Sequence, residues 1–174
     1  MLPVITYPNP LLKKRSLPVE HFDESLHRFL DEMYETMLGK NGVGLAAVQV
    51  GKLIRVLIIN LPNEEGEQKK EDLLEVINPE FLTKEGEILF SEGCLSVPEF
   101  YEEVARSEYV RLSYQDRFGN RHELEAHGYL AVALQHETDH LNGVLFIDKL
   151  PLLKRKKFEK ELKLKKRRQS PPKT

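Results

Sequence analysis

Residues 136–140, HETDH, contain two histidines whose spacing suits a metal site. On a helix, His136 and His140 would project from one face one turn apart, so both imidazoles could bind one metal ion. Glu137, beside the first histidine, would be placed to move protons on a water bound to that ion. A helix with polar side chains facing solvent explains the same pattern, so a metal site needs support from other residues.

That support comes from the only cysteine of the chain, Cys94, which lies within residues 92–96, EGCLS. A lone cysteine is often a small buried hydrophobe. With His136 and His140 it would instead supply three protein ligands and leave a fourth position open. An open position is typical of a catalytic site, because a structural zinc site uses four protein ligands. We therefore expect these three residues to bind one metal ion.

A third segment, residues 42–49, GVGLAAVQ, matches neither a phosphate-binding loop nor the dinucleotide fingerprint. A helix C-cap at Gly42, followed by a turn and an apolar strand, would explain its glycines. That interpretation leaves Gln49 unexplained, because it places a neutral amide among alanine, valine and leucine. A side-chain amide at this place could polarise a carbonyl group.

Taken together, the three segments resemble the signature motifs of bacterial peptide deformylases. The resemblance extends to Gln135 and to Leu141-Asn142-Gly143, and it covers about residues 1–150. It implies a hydrolase that removes the N-formyl group from the first methionine of nascent polypeptides and releases formate. It also implies one ferrous ion per chain. A thiolate with two imidazoles suits zinc, nickel or cobalt as well, so any of these could substitute.

The resemblance also implies roles for individual residues. Metal-bound hydroxide would attack the formyl carbon, and Glu137 would act first as general base and then as general acid. The Gln49 amide and the Leu95 backbone N–H would stabilise the oxyanion as neutral dipoles. Arg106 would brace Glu92 or Asp139, unless it is an ordinary surface arginine. The residues expected to bind substrate are Val43, Gly44, Leu45, Phe90, Glu92, Val132 and Ala133.

Composition and length are consistent with a cytoplasmic enzyme. The chain has 174 residues, about one domain, and is 40% hydrophobic, enough for a core. It has no apolar run of about 18 residues and no signal peptide, so we expect no membrane contact. One cysteine excludes an intrachain disulfide and suits a reducing compartment. We expect a monomer.

Charge divides the chain into a catalytic domain, residues 1–150, and a basic C-terminal helix with a disordered tail, residues 151–174. Residues 154–174 hold eleven Lys or Arg and two Glu, a net charge of +9. The whole chain carries −2, so the preceding residues carry −11. A helix starting at Pro151 would be solvated on most of its surface, and residues 169–172 would be disordered. The family resemblance implies ribosome docking through residues 152–174.

Periodicity predicts the elements that position the motifs. Apolar residues recur at helical spacing from Phe22 to Met37 and predict a first helix, with Asp23 as its N-cap and Gly39 or Gly42 as its C-cap. Residues 54–59 and 74–77 read as strands, the second stopped by Asn78-Pro79. Residues 61–72 form a charged, mobile loop. Residues 109–114 and 121–125 form a hairpin, and residues 128–140 a buried helix.

These elements predict an α+β fold with small, mostly antiparallel sheets around a central metal-binding helix, an N-terminal helix outside and a basic C-terminal helix. Two other functions fit parts of the sequence. A zinc endopeptidase shares HExxH, but it usually takes its third ligand from downstream, and this chain is small for a long cleft. A nucleic-acid or ribosome-binding protein with a structural metal fits the basic tail, but Glu137 and the missing fourth ligand argue against it.

Overall fold

The first helix, α1 (Glu24–Gly39), begins where the sequence predicts it to begin. The Asp23 side chain accepts a hydrogen bond from the Leu26 N–H at 3.1 Å, which satisfies one of the free donors of the first turn. The helix ends at Gly39, and Asn41 follows in the left-handed region at φ 56°. The computed structural model describes residues 1–169. One face of α1 is buried through Leu26, Phe29, Leu30, Met33 and Met37.

Within residues 1–169, seven antiparallel strands form two sheets. The larger sheet has the order β1-β2-β3-β6-β7, and the smaller is the hairpin of β4 and β5. The strands are β1 (Gly44–Ala46), β2 (Val56–Ile59), β3 (Leu74–Glu85), β4 (Ile88–Cys94), β5 (Val97–Arg106), β6 (Tyr109–Gln115) and β7 (Arg121–His127). The predicted α+β class and the predicted β6–β7 hairpin are confirmed.

Strand β3 does not stop at Asn78-Pro79, so that prediction is wrong. Pro79 has no N–H to donate to a ladder, and the pairing with β6 shifts register between Ile77 and Glu80. Asn78 takes a positive φ of 52° at this bulge, and its side-chain amide exchanges two hydrogen bonds of 2.9 Å with the Val19 backbone. A bulge lets the strand bend and continue where a proline would otherwise end it.

The second helix, α2 (Gly128–Leu141), lies between the sheets and is buried on nearly all sides, as predicted. It packs across β1, β2 and β7. Its C-terminal end turns sharply at Gly143, which has φ 76°. A Cβ at Gly143 would lie 2.3 Å from the Lys13 carbonyl oxygen, so the close approach of two backbone segments requires glycine here.

Alternating side chains of β1 and β2 divide the core into two layers. Ala46 and Leu57 face α2, whereas Leu45 and Ile58 face α1. This alternation follows from strand geometry, in which successive side chains point to opposite faces. The sheet is therefore covered by α1 on one face and by α2 on the other.

The third helix, α3 (Leu152–Gln169), carries the basic segment. Phe158 is its buried contact with the body, and its ring lies 4.7 Å from Phe100 and 5.5 Å from Tyr7 between centroids. Gln169 is helical rather than part of a tail, and the predicted disorder of residues 170–172 lies outside the described residues. Among the helices of residues 1–169, none has the length and apolar character needed to cross a membrane.

Candidate active site

Helix α2 and strand β4 bring the three predicted metal ligands together. The rings of His136 and His140 lie one helical turn apart, with centroids separated by 5.0 Å. Cys94, the last residue of β4, places its Sγ 3.4 Å from His140 Nε2. The donor atoms of the three residues lie within 4.8 Å of one another. One thiolate and two imidazoles at these separations fit a single transition-metal ion with three protein ligands.

A buried charge network holds the Nδ1 edge of the His136 ring, and the sequence left open how this network is arranged. His136 Nδ1 lies 2.8 Å from Glu92 Oε1. Since a carboxylate only accepts, the Nδ1–H donates and Nε2 is left for a metal. Arg106 donates to both oxygens of Glu92, at 2.8 Å and 2.9 Å, and also to Asp139. Arg106 is buried and therefore is not a surface arginine.

This network surrounds Glu92, which the sequence predicts to bind substrate. Both of its carboxylate oxygens are engaged by Arg106 and His136, and its side chain is 3% exposed. Burial alone would raise the pKa of Glu92, but its hydrogen bonds to Arg106 and His136 bring the pKa below the ordinary value. An ionised carboxylate in this place orients the His136 ring.

Glu137 lies between the two histidine rings, facing the cavity. Its Oε2 is 4.0 Å from His136 Nε2 and its Oε1 is 4.0 Å from His140 Nε2. Oε1 is buried and has no hydrogen-bond partner within residues 1–169, so it is available to a water or a substrate. Burial raises the pKa of Glu137 to about 7, which suits a group that exchanges protons near neutral pH.

The two histidines differ in their charge preference. Burial lowers the pKa of His140 well below the ordinary value, so its imidazole is neutral, the form that binds metal. Burial also acts to lower the pKa of His136, but the charge of Glu137 and the bonds to Cys94 and Glu92 raise it above the ordinary value. The negatively charged groups around His136 that raise its pKa would also favour a bound cation at this place.

Gln49 is held by hydrogen bonds on both sides of its amide. Its Oε1 accepts from the Ala46 N–H at 2.9 Å, and its Nε2 donates to Ser96 Oγ at 3.0 Å and toward Cys94 Sγ at 3.5 Å. Ser96 is fully buried and was not singled out from the sequence, although it belongs to the EGCLS segment. The Gln49 donor therefore points at the ligand cluster in a fixed orientation.

A cavity of about 630 Å³ opens above these groups. Predicted substrate residues that line it are Val43, Gly44, Phe90, Glu92, Val132 and Ala133, and Leu95 lines it as well. Leu45 does not, because its side chain faces α1 across β1 and is fully buried in that core layer. The prediction that Leu45 binds substrate therefore has no support from the cavity lining.

Gly44 is where the cavity wall meets Glu137. A Cβ at this position would lie 2.5 Å from Glu137 Oε2 and 3.0 Å from its Cδ. The absence of a side chain at Gly44 therefore provides the space that the Glu137 carboxylate occupies. On the opposite side, Phe90 stacks on Tyr129 with ring centroids 4.8 Å apart, a contact between β4 and α2 that no local sequence pattern predicts.

A three-donor cluster, a buried glutamate and fixed amide donors at the base of a cavity define a metallohydrolase centre. Comparison with known proteins narrows the class. The polypeptide deformylase family model matches residues 1–156, and the chain belongs to this family.

Individual relatives align with this chain along nearly its whole length. The peptide deformylase of Wolinella succinogenes is 75% identical over 167 residues, 96% of this chain and 98% of that protein. The peptide deformylase of Helicobacter hepaticus is 63% identical, covering 93% of this chain and 90% of that protein. A crystal structure of a peptide deformylase from Legionella pneumophila superposes with a TM-score of 0.87 at 41% identity, covering 98% and 99% of the two chains.

The chain is therefore a metal-dependent hydrolase that removes the N-formyl group from nascent peptides. This confirms the family, the activity and the fold class that the sequence motifs predict. The endopeptidase and the nucleic-acid-binding alternatives are set aside by the same comparisons.

Proposed function

We propose that Cys94, His136 and His140 bind one ferrous ion per chain, and that zinc, nickel or cobalt can replace it. The proposal is supported by the donor set, because a soft thiolate with two imidazoles suits these ions, whereas calcium and magnesium prefer oxygen ligands. The orientation of His136 by Glu92 supports it further, since it leaves Nε2 as the ligand atom.

The protein groups around this centre carry the proton and charge chemistry. When bound, the divalent ion polarises the formyl oxygen and lowers the pKa of its water ligand towards about 7. Glu137 takes the proton of the attacking water and delivers it to the leaving amine. Gln49 Nε2 and the Leu95 N–H donate to the oxyanion that develops on the formyl oxygen. The unpartnered Oε1 of Glu137 and the fixed Gln49 amide support these roles.

The substrate is N-formylmethionine at the start of a peptide. The methionine side chain enters the apolar part of the cavity, against Val43, Val132, Ala133 and the Phe90–Tyr129 pair. A thioether makes favourable contacts with aromatic rings. The peptide backbone passes along Gly44, which has no side chain and belongs to an edge strand of the larger sheet. Because Glu137 and the ligands crowd the base of the cavity, formyl fits and acetyl is excluded.

One observation carries the proposal: three ligand atoms within 4.8 Å beside a buried glutamate at the base of a cavity. The test compares hydrolysis of formyl-Met and acetyl-Met peptides by anaerobically purified protein, together with metal analysis. His140→Ala should lose the metal, whereas His122→Ala, a change at an exposed histidine 2.7 Å from Asp116, should keep about one ion per chain. Retention of one ion per chain in His140→Ala would refute the ligand assignment.

We further propose that residues 152–174 dock the enzyme on the ribosome and that the protein acts as a cytoplasmic monomer. The support for docking is the net charge of +9 over residues 154–174 against −11 for the rest of the chain. The proposed ligands Cys94, His136 and His140 all lie in one chain, so the proposed site needs no second copy of the protein. Removing residues 160–174, beyond the Phe158 contact, should weaken ribosome co-sedimentation while hydrolysis of a short formyl-Met peptide persists. Binding by the full chain should fall steeply with salt. Equal co-sedimentation of both forms at low salt would contradict docking through this segment.

A further inference from the structure

The segment between β2 and β3 is tied to the wall of the cavity by one side chain. Gln68 Nε2 donates to the Gly42 carbonyl at 2.9 Å and to the Asn60 carbonyl at 2.7 Å. The sequence predicts residues 61–72 as a mobile charged loop, because glutamates, lysines and turn residues dominate it. The structure instead anchors this loop through Gln68, which is half-buried.

Asn60 fixes the backbone on both sides of this anchor. Its N–H donates to the Val43 carbonyl at 2.8 Å, just beyond the last paired residues of β1 and β2. Its side-chain amide donates to the Lys69 carbonyl at 2.9 Å, next to Gln68. Asn60 is fully buried, so these bonds are shielded from water. Two consecutive carbonyls of the wall, those of Gly42 and Val43, are thereby held by groups outside β1.

The wall that these carbonyls belong to, residues 42–44, lies in close contact with active-site residues at both of its glycines. A Cβ at Gly42 would lie 2.8 Å from Leu95 Cδ1, and a Cβ at Gly44 would lie 2.5 Å from Glu137 Oε2. The wall is therefore wedged between the residue after the cysteine ligand and the glutamate of α2. A shift of a few tenths of an ångström would alter the cavity where the peptide passes.

We propose that Gln68 is a positioning residue for substrate binding: its amide holds residues 42–44 at the distance from Leu95 and Glu137 that the peptide requires. The loop between β2 and β3 thus contributes to the cavity without lining it. This inference rests on the proposed function of the cavity as the peptide site. Gln68 touches neither the metal ligands nor Glu137, so it acts on binding and leaves the chemical step intact.

The test is Gln68→Glu, which keeps the shape of the side chain and removes its N–H donors. We expect the KM for a formyl-Met tripeptide to rise about tenfold, the equivalent of one lost hydrogen bond. The kcat and the metal content should stay within about twofold of wild type. A variant that weakens binding of the substrate and of the transition state equally raises KM and leaves kcat unchanged. Amide hydrogen exchange in the peptide covering residues 42–49 should accelerate, because the wall loses a tether.

Gln115→Glu is the matched control. Gln115 is also half-buried and donates to a loop carbonyl, that of Gly119 at 3.2 Å, but it does not line the cavity. This variant should leave KM and the exchange of residues 42–49 unchanged. An unchanged KM and unchanged exchange in Gln68→Glu would overturn the proposal, and so would a fall in kcat together with metal content. Amide hydrogen exchange reports on the Gln68 tether without requiring hydrolysis of the peptide. A failure of this inference can therefore be distinguished from a failure of the proposed function.

Discussion

Replacing Arg106 with leucine tests whether the buried charge network holds the active site together. Arg106→Leu removes two hydrogen bonds to Glu92, of 2.8 Å and 2.9 Å, and the bond to Asp139, while most of the apolar stem is kept. The side chains of Arg106 and Glu92 are 4% and 3% exposed. Breaking a buried ion pair by removing one partner costs about 3–5 kcal/mol, because the other charge stays buried. We expect the free energy of unfolding to fall by about that amount at neutral pH.

The pH dependence identifies the cause of this loss. In the wild type the pKa of Glu92 lies below 4.5, because its hydrogen bonds outweigh burial. Its ionised form therefore stabilises the fold above pH 4.5, and this contribution is lost as pH falls through the lower folded pKa. Without Arg106, burial should dominate and raise the pKa of Glu92. Ionised Glu92 would then destabilise the variant at neutral pH, and the difference from wild type should shrink towards about pH 4.

The assay is urea unfolding of chelator-treated wild type and variant at neutral pH and at about pH 4. Arg111→Leu is the control, because Arg111 pairs with Glu123 at 3.8 Å on the surface and its loss should cost less than about 1 kcal/mol. Adding Glu92→Gln to Arg106→Leu should recover part of the stability at neutral pH. An equal loss at both pH values would show that lost packing, and not an unpaired charge, accounts for the effect.

Three further predictions concern the cavity. Gly44→Ala places a Cβ 2.5 Å from Glu137 Oε2, so kcat should fall at least about tenfold with metal retained, and wild-type kcat in the variant would contradict the need for glycine. Glu137→Gln should keep the metal and lose most turnover. Because burial raises the pKa of Glu137 to about 7, the metal-free wild type should lose stability as pH rises from 4.5 to about 7, and Glu137→Gln should flatten that slope in urea unfolding. Gln49→Ala should keep the metal and lower kcat about 10²- to 10³-fold in a formate-release assay, and near-normal kcat would remove Gln49 from the mechanism.

Local patterns were enough to predict the helices α1 and α2, but not strand β4, which carries Cys94. Asp23 before an apolar stripe predicted the start of α1, and HETDH within an apolar run predicted the buried helix α2. These features depend on neighbours within a few residues along the chain. Residue type and spacing predicted Cys94, His136 and His140 as a set of metal ligands, and the resemblance of three motifs to one family supported that prediction.

Contacts between distant segments explain what the sequence could not supply. Whether Arg106 braced Glu92 or Asp139 was open, and the structure shows that it contacts both. Asn78 and Pro79 indicated a strand end, but β3 continues past them through a bulge. The bulge is possible because the backbone of Val19, from another part of the chain, forms hydrogen bonds with the Asn78 side-chain amide. The orientation of the Leu45 side chain, in contrast, could have been predicted from the sequence. Side chains alternate along a strand, and this alternation places Leu45 on the face of β1 that packs against α1.

The proposed metal ligands come from two separate elements of the fold. Cys94 lies in the β4–β5 hairpin, and the two histidines lie in α2. An ion bound there would act as a cross-link, closing a loop of the chain between residues 94 and 136. The hairpin also seats α3, through Phe100 against Phe158. Metal binding would therefore stabilise the folded chain by about 1.4 kcal/mol for each tenfold excess of free ion over its dissociation constant. Metal supply would then govern how long the enzyme survives as well as how fast it works.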